Sequence, residues 1–368
     1  MMNIAVINRY FWREGGIPIA VRRWVKGLTR KRANVVVIFA SDVRPEDSDD
    51  KVTFCRVFMK KIKFLDLGGF IFAVSLFFKM WRLCAKRKFD VLMVHDSTGF
   101  LTVYILGKIY RIPAMIFFHG WIYNPFREKA YSKSVTMIYK LSAHFAAKYA
   151  DAICCVSEEI AEGMRSLGAR YERVYLLPNA IDLDQFPQRK KLNVYYDETK
   201  KVLYVGRFGQ EKGLRYLLLA IPEVVKKVPN TELIILGGTK NEEEKFISLL
   251  KRLKINNYVK FRGKISNKQL IKIYQEAHVL VIPSLSEGHA IVPLEALACG
   301  TPVIGTQISG IKETVMDGYN GLLVEPGNHK AIADAIIKLL SNPDLLEKLS
   351  TNARPSVEKL SLDKKVEE

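Results

Sequence analysis

Short, uniformly apolar runs alternate with longer helical stretches, and this alternation restricts the chain to very few architectures. In the first half, strand signals at residues 4–8, 35–39, 91–95, 115–118, 152–156 and 174–177 alternate with helical signals at 19–30, 70–86, 99–110 and 134–149. Runs of Val, Ile, Leu and Phe with no polar alternation predict strands buried on both faces, as in a parallel sheet. Strand–helix alternation then predicts an α/β fold with helices on both faces of that sheet. The second half repeats the pattern, with strands at 202–205, 233–236, 259–262, 279–282, 303–305 and 321–324. The expected organisation is a domain over 1–183, a linker over 184–200, a second domain over 201–355, and the start of a C-terminal helix over 356–368.

The bulk properties agree. A chain of 368 residues exceeds one ordinary core and suits two domains of about 150–200 residues. With 49% hydrophobic and 26% charged residues, the composition is globular rather than disordered. A formal charge of +19 is more than solubility requires and points to an anionic partner: nucleotide sugar, nucleic acid or acidic lipid surface. No nucleic-acid recognition motif accompanies the charge, so no nucleic-acid partner is expected. The five cysteines lack paired metal-ligand spacing, which predicts a reduced cytoplasmic protein. Cys154 and Cys155, adjacent in one strand, should point to opposite faces. The longest apolar stretch, 69–81, is interrupted by Lys79 and falls short of the roughly 20 residues a membrane span needs.

The chemistry concentrates in Pro283-Ser284-Leu285-Ser286-Glu287-Gly288-His289-Ala290-Ile291-Val292-Pro293-Leu294-Glu295. A buried strand ends at Pro283, a tight glycine turn follows, and Pro293 suits a first helical turn, where its missing N–H costs nothing. Glu287 is then expected on the loop and Glu295 in the first turn, beside unpaired backbone amides. Two carboxylates can accept from sugar hydroxyls while the amides bind an anion. A first-turn Glu also complements the helix dipole, worth about 0.3–1 kcal/mol, whatever the ligand.

As a whole this string resembles the Glu-x7-Glu signature of retaining glycosyltransferase family 4 (glycosyl transferases group 1). Those enzymes have the GT-B fold: two Rossmann-like, doubly wound parallel-sheet domains facing a central cleft. The resemblance implies that Glu287 contacts the donor sugar and Glu295 the nucleotide ribose. It implies that the last helix returns to the N-terminal domain, and here that helix is short. His289-Ala290 departs from the aromatic residue and glycine found in many members, and this leaves the donor sugar open.

Other segments match in the family's order. Gly206-Arg207-Phe208-Gly209-Gln210-Glu211-Lys212-Gly213 follows a strand and precedes a helix. Arg207 offers a planar fork and Lys212 a mobile charge, together able to neutralise a diphosphate leaving group. Glu14-Gly15-Gly16-Ile17-Pro18 lets backbone amides approach a ligand closely but is not the Gly-x-Gly-x-x-Gly of dinucleotide enzymes. The resemblance sets Gly16 against the donor diphosphate, across the cleft from Arg207 and Lys212. His119 closes a strand at its ligand-facing end, where family members have a cleft histidine. Phe261-Arg262-Gly263-Lys264-Ile265 falls where the family's nucleobase pocket lies. Asp151, Ser157, Asn179 and Asp182 are expected to position neighbours, with capping as the default for Ser157.

The expected catalytic residues are therefore His119, Arg207, Lys212 and Glu287. Substrate contacts are expected from Gly15, Gly16, Gly263, Lys264, Gly288, His289, Ala290, Ile291, Val292 and Glu295. No Asp-x-Asp string is read as a metal element, so a metal-independent hexosyltransferase with no cofactor is expected, using a UDP- or GDP-linked donor. The acceptor would be a glycan or a lipid-linked acceptor in cell-surface polysaccharide or glycoconjugate synthesis. Aromatics with adjacent cations between Phe64 and Lys88, including Phe70, Phe72, Phe77, Phe78 and Trp81, suit peripheral contact with the inner face of an anionic membrane. A sugar-nucleotide epimerase on the same fold, or a non-catalytic nucleotide-sugar-binding protein, are the alternatives.

Overall fold

The computed structural model describes residues 1–12, 15–40, 52–58, 67–95, 97–125, 132–189 and 198–367. Glu14, Phe64 and residues 190–197 of the expected linker lie outside these, as does the Phe70 side chain. The chain forms two compact units, residues 1–180 with 362–368, and residues 181–361.

The first unit is a seven-stranded, all-parallel sheet in the order β3-β2-β1-β4-β5-β6-β7. Its strands are β1 Asn3–Ile7, β2 Asn34–Phe39, β3 Val52–Arg56, β4 Val91–Val94, β5 Ala114–Phe118, β6 Ala152–Cys155 and β7 Val174–Leu176. The helices are α1 Gly16–Arg30, α2 Leu67–Lys86, α3 Ser97–Tyr110, α4 Lys133–Tyr149 and α5 Glu158–Ser166. Successive residues of β2 divide between two cores: Val36 and Ile38 on one face, Val35 and Val37 on the other. Cys155 and Cys154 divide the same way, and all five cysteines are free thiols. Burial pushes the Cys155 thiol up to about 12. β3 falls outside the expected strands. It is an edge strand, half exposed along its length, and lacks the continuous apolar run that marks the inner strands.

The second unit holds a six-stranded parallel sheet in the order β10-β9-β8-β11-β12-β13. These are β8 Lys200–Val205, β9 Thr231–Leu236, β10 Val259–Phe261, β11 Val279–Ile282, β12 Val303–Thr306 and β13 Gly321–Val324. The helices are α6 Leu214–Lys227, α7 Lys240–Leu253, α8 Asn267–Glu276, α9 Ile291–Ala298, α10 His329–Leu340 and α11 Pro343–Val357. Two buried clusters again cover the two faces, with Val202 and Tyr204 in one and Leu203 in the other.

Strand order reverses at β1, flanked by β2 and β4, and at β8, flanked by β9 and β11. Connections diverge there, leaving the carboxyl ends of the two central strands uncovered by a crossover, which is where open α/β sheets bind ligands.

A short helix, α12 Leu362–Lys365, packs on α1 within the first unit. Leu362 is buried, and Asp363 and Glu367 pair with Arg30 and Lys31.

Two arginines fasten the entering segment to the second unit. Arg354 Nη1 donates to the carbonyls of Phe186 (2.5 Å) and Ala298 (2.7 Å), and Nη2 to Leu183 (3.1 Å). Arg189 Nη1 donates to the Ala277 carbonyl at 2.9 Å. Arg354→Met keeps much of the side-chain bulk and strips three carbonyls of a charged donor. A loss of about 2–3 kcal/mol is expected in urea unfolding, since a hydrogen bond to a charged group contributes about 1.5–3 kcal/mol. A variant as stable as the parent would show that the arginine is not what holds the segment.

Candidate functional site

In the second unit, two loops leave the carboxyl ends of β8 and β11 and are tied together. After β8, the buried Tyr204 hydroxyl donates to the Arg207 carbonyl at 2.7 Å. A single 3-10 turn over Gln210–Lys212 follows, and Gly213 enters α6 with φ +66°. Leu285, on the loop after β11, donates its amide to the Glu211 carbonyl at 2.7 Å. Gly213 lies so close to β11 that a Cβ there would stand 1.9 Å from the Pro283 carbonyl oxygen. Only glycine satisfies both this approach and that backbone angle.

This clasp brings Lys212 and Glu287, 75 residues apart in sequence, into one ion pair. Lys212 Nζ donates to both carboxylate oxygens, at 2.7 and 2.8 Å. Ser284 Oγ donates to Glu287 Oε1 at 2.8 Å, and the Ser284 carbonyl accepts from Thr306 Oγ1 at 2.6 Å. Both side chains are largely enclosed, Lys212 at 21% and Glu287 at 12% exposure. Arg207 differs. Its side chain is 76% exposed and touches Glu211 at 3.2 Å, an exposed contact that contributes little to stability and leaves the guanidinium facing solvent.

Gly288, His289 and Ala290 lead into α9. Ala290 is its N-cap, with no side-chain cap, and donates its own amide to the Gly310 carbonyl at 3.0 Å. The amides of Ile291 and Val292 therefore open the helix uncapped, the arrangement that receives anions. His289 is buried, with Nε2 3.2 Å from Thr314 Oγ1.

Glu295 corrects the sequence expectation. The helix begins at Ile291, so its first turn holds no acidic residue and Glu295 sits in the second turn. The bond from Ala290 to Gly310 turns the chain into the helix before the proline, and Pro293 occupies the third position, still among the amides a helix leaves unused. Glu295 is buried, and its Oε2 accepts from the Tyr274 hydroxyl at 3.0 Å.

Gly263, with φ +57°, follows the edge strand β10, and its carbonyl accepts the Gly237 amide at 2.8 Å. Gly263 and the exposed Lys264 thus share the carboxyl edge of this sheet with the clasped loops, two strands from β8. Among the described residues no three His, Cys, Asp or Glu side chains are grouped to hold a metal ion.

In the first unit, Gly15 is the N-cap of α1 at φ +133° and Gly16 its first residue. They follow β1, the strand at which this sheet's order reverses. His119 follows β5 and meets a residue that sequence reasoning leaves unassigned. His95, directly after β4, places Nδ1 3.0 Å from His119 Nε2 and stacks on Phe117 with ring centroids 4.3 Å apart. The available signal is a histidine directly after each of two consecutive core strands. Asp151 accepts the Ala114 amide at 2.9 Å and pairs with Lys108 at 3.0 Å, fastening the start of β5. Ser157 is the buried N-cap of α5, but its side chain makes no capping bond, contrary to the expectation from its type. Asn179 and Asp182 are buried.

Burial, and then the neighbouring His119, hold the His95 pKa well below its ordinary 6.5. Folded His95 is thus neutral near pH 6, where the unfolded chain takes up a proton. Stability from this group is complete above about pH 6.5 and is lost as pH falls below it, by about 1.4 kcal/mol per pH unit. Urea titrations between pH 7 and 5.5 should show a slope steeper by about this amount in the parent than in His95→Phe. Equal slopes would remove His95 as its source.

Two parallel-sheet α/β units, each with candidate residues at its strands' carboxyl ends, have the architecture of the GT-B fold. Sucrose-phosphate synthase from Thermosynechococcus elongatus superposes with a TM-score of 0.84 at 22% identity, covering 100% of this chain and 96% of that one. HepE of Anabaena, solved with UDP and glucose, gives 0.79 at 16% identity, covering 100% and 98%. By sequence, the glycosyltransferase MJ1607 of Methanocaldococcus jannaschii is 28% identical over 95% of this chain and 91% of its own. Residues 14–185 match Glycosyltransferase Family 4, and residues 184–356 match Glycosyl transferases group 1. The chain belongs to this glycosyltransferase family.

Proposed function

We propose that the protein is a retaining, metal-independent hexosyltransferase. It takes a UDP- or GDP-linked sugar and passes the sugar to a glycan or lipid-linked acceptor in cell-surface polysaccharide or glycoconjugate synthesis. The observation that carries this reading is the Lys212–Glu287 pair beside the uncapped amides of Ile291 and Val292. Such a pair sets a sugar-hydroxyl acceptor and a phosphate donor side by side. The UDP and glucose held by HepE support a nucleotide-sugar donor.

In this reading Arg207, Lys212 and the α9 amides meet the charge on the departing diphosphate. An ammonium has three N–H donors. Two are directed at Glu287, and the third is left for a phosphate oxygen. Glu287 accepts from donor-sugar hydroxyls, with Gly288, His289 and Ala290 shaping the loop around them. Glu295, oriented by Tyr274, serves the ribose, and Gly263 and Lys264 offer backbone groups to the base. Gly15 and Gly16 offer amides to the diphosphate, and His119 a ring nitrogen to the sugar. The anomeric C–O bond to the diphosphate breaks while the acceptor oxygen bonds to the same face, and its proton passes to the departing phosphate oxygen. The enzyme would work in the cytoplasm, peripheral to an anionic membrane. Among the described residues no helix is long and apolar enough to cross one.

A panel of UDP-, GDP- and ADP-sugars tests the reading through thermal stabilisation followed by release of free nucleotide. Stabilisation by one donor with slow release supports it. No stabilisation by any donor overturns it, and conversion of the donor to its epimer without acceptor would make the protein an epimerase.

A further inference from the structure

We propose that the outer face of α2, α3 and α4 is a docking surface for an anionic lipid bilayer. This rests on the membrane-peripheral part of the reading above and names the surface responsible.

The three helices follow β3, β4 and β5 in turn, and α2 packs on α3 and α3 on α4. Their inner faces enter one buried cluster on one side of the sheet, through Phe72, Leu76 and Met80, then Phe100, Val103 and Leu106, then Ala143 and Ala146. Helical periodicity then turns the opposite residues outward together. Many of those residues are large and apolar. Phe78 and Trp81 on α2, Leu101 and Ile109 on α3, and Met137 and Leu141 on α4 are each 50–61% exposed. Scattered exposed apolar residues are ordinary, but a run of them across three adjoining helices marks an interaction surface.

Charge selects the occupant. The three helices together contain no Asp or Glu, while Arg82, Lys86, Lys133 and Lys148 are exposed on them. Arg82 lies one turn beyond Phe78, and Lys133 and Lys148 lie one and two turns from Met137 and Leu141, on the same stripe. A second copy presenting the same face would bring like charges together, since none of the three helices carries a carboxylate. An interface of anionic headgroups over acyl chains answers both the cations and the apolar side chains. Trp81, with an apolar ring and one N–H, suits the headgroup boundary.

The test is sedimentation of the full chain with vesicles of phosphatidylcholine alone or of phosphatidylcholine with phosphatidylglycerol. Binding is expected to the phosphatidylglycerol vesicles and to weaken with salt. Removing one basic side chain from this face should lower partitioning about fivefold, so Arg82→Glu with Lys148→Glu should lower it at least about 25-fold. Phe78→Ser with Leu141→Ser should do likewise. Brominated lipid should quench tryptophan emission in the parent and much less in Trp81→Phe. These positions are exposed, so all variants should keep the parent's melting temperature and its nucleotide release from soluble donor. That release also separates the two ideas, since a loss of vesicle binding with release intact concerns this surface alone. Absence of anionic-vesicle binding in the parent, or equal binding by all variants, overturns the proposal. Concentration-dependent dimerisation of the parent that the variants abolish also overturns it, in favour of a second copy.

Discussion

Lys212→Ala is expected to lower donor turnover by roughly 10²–10³-fold at saturating donor, the scale of removing one preorganised group that meets transition-state charge. Lys212 Nζ is the donor shared by both Glu287 oxygens, at 2.7 and 2.8 Å. Its removal takes away a cation for the leaving diphosphate and leaves the carboxylate held by Ser284 alone among these bonds. Glu287→Gln keeps shape and the bond from Ser284 while discarding the charge, and a comparable loss is expected. Because the two act as a unit, the double variant should be little worse than either single one. Melting temperatures close to the parent would show that chemistry and not folding was lost. Near-normal rates in both single variants would remove the proposed mechanism.

Gly213→Ala is expected to destabilise the second unit strongly. At φ +66° an L-residue is strained by about 1–2 kcal/mol, and the new Cβ would lie 1.9 Å from the Pro283 carbonyl oxygen. That neighbour is backbone, so no rotamer change relieves the overlap and the two loops must separate. A cost of about 3 kcal/mol or more follows, lowering the melting temperature by about 6–12 °C. Gly318→Ala is the matched control. Its φ is +68°, but nothing lies within 4 Å of the added Cβ, so it should show only the backbone strain. Activity should fall with Gly213→Ala and not with Gly318→Ala, because separating the loops parts Lys212 from Glu287. Equal melting temperatures for the two variants would mean that the loops yield without cost.

Much of this architecture is written locally along the chain. Inner strands such as 202–205 and 233–236 are continuous apolar runs because parallel strands are covered on both faces, and that burial leaves a legible imprint. Glu287, Gly288, Arg207 and Lys212 stand out in the sequence as candidates because turn, cation and carboxylate chemistry each constrain short strings of residues. What stays hidden depends on neighbours distant in sequence. β3 carries no apolar run, since only one side of an edge strand has a partner. Glu295 reads as a first-turn carboxylate, but the helix starts at Ile291, after the Ala290 amide bonds to Gly310, and leaves it in the second turn. His95 gains its significance from His119, 24 positions away. Sequence by itself determined the two parallel-sheet units and the loops at their strands' carboxyl ends, because periodicity and turn formation are local. Tertiary structure alone decided which side chains meet, which carboxylate is buried and which helix faces stay uncovered, because strand order and packing are set by contacts that no short stretch contains.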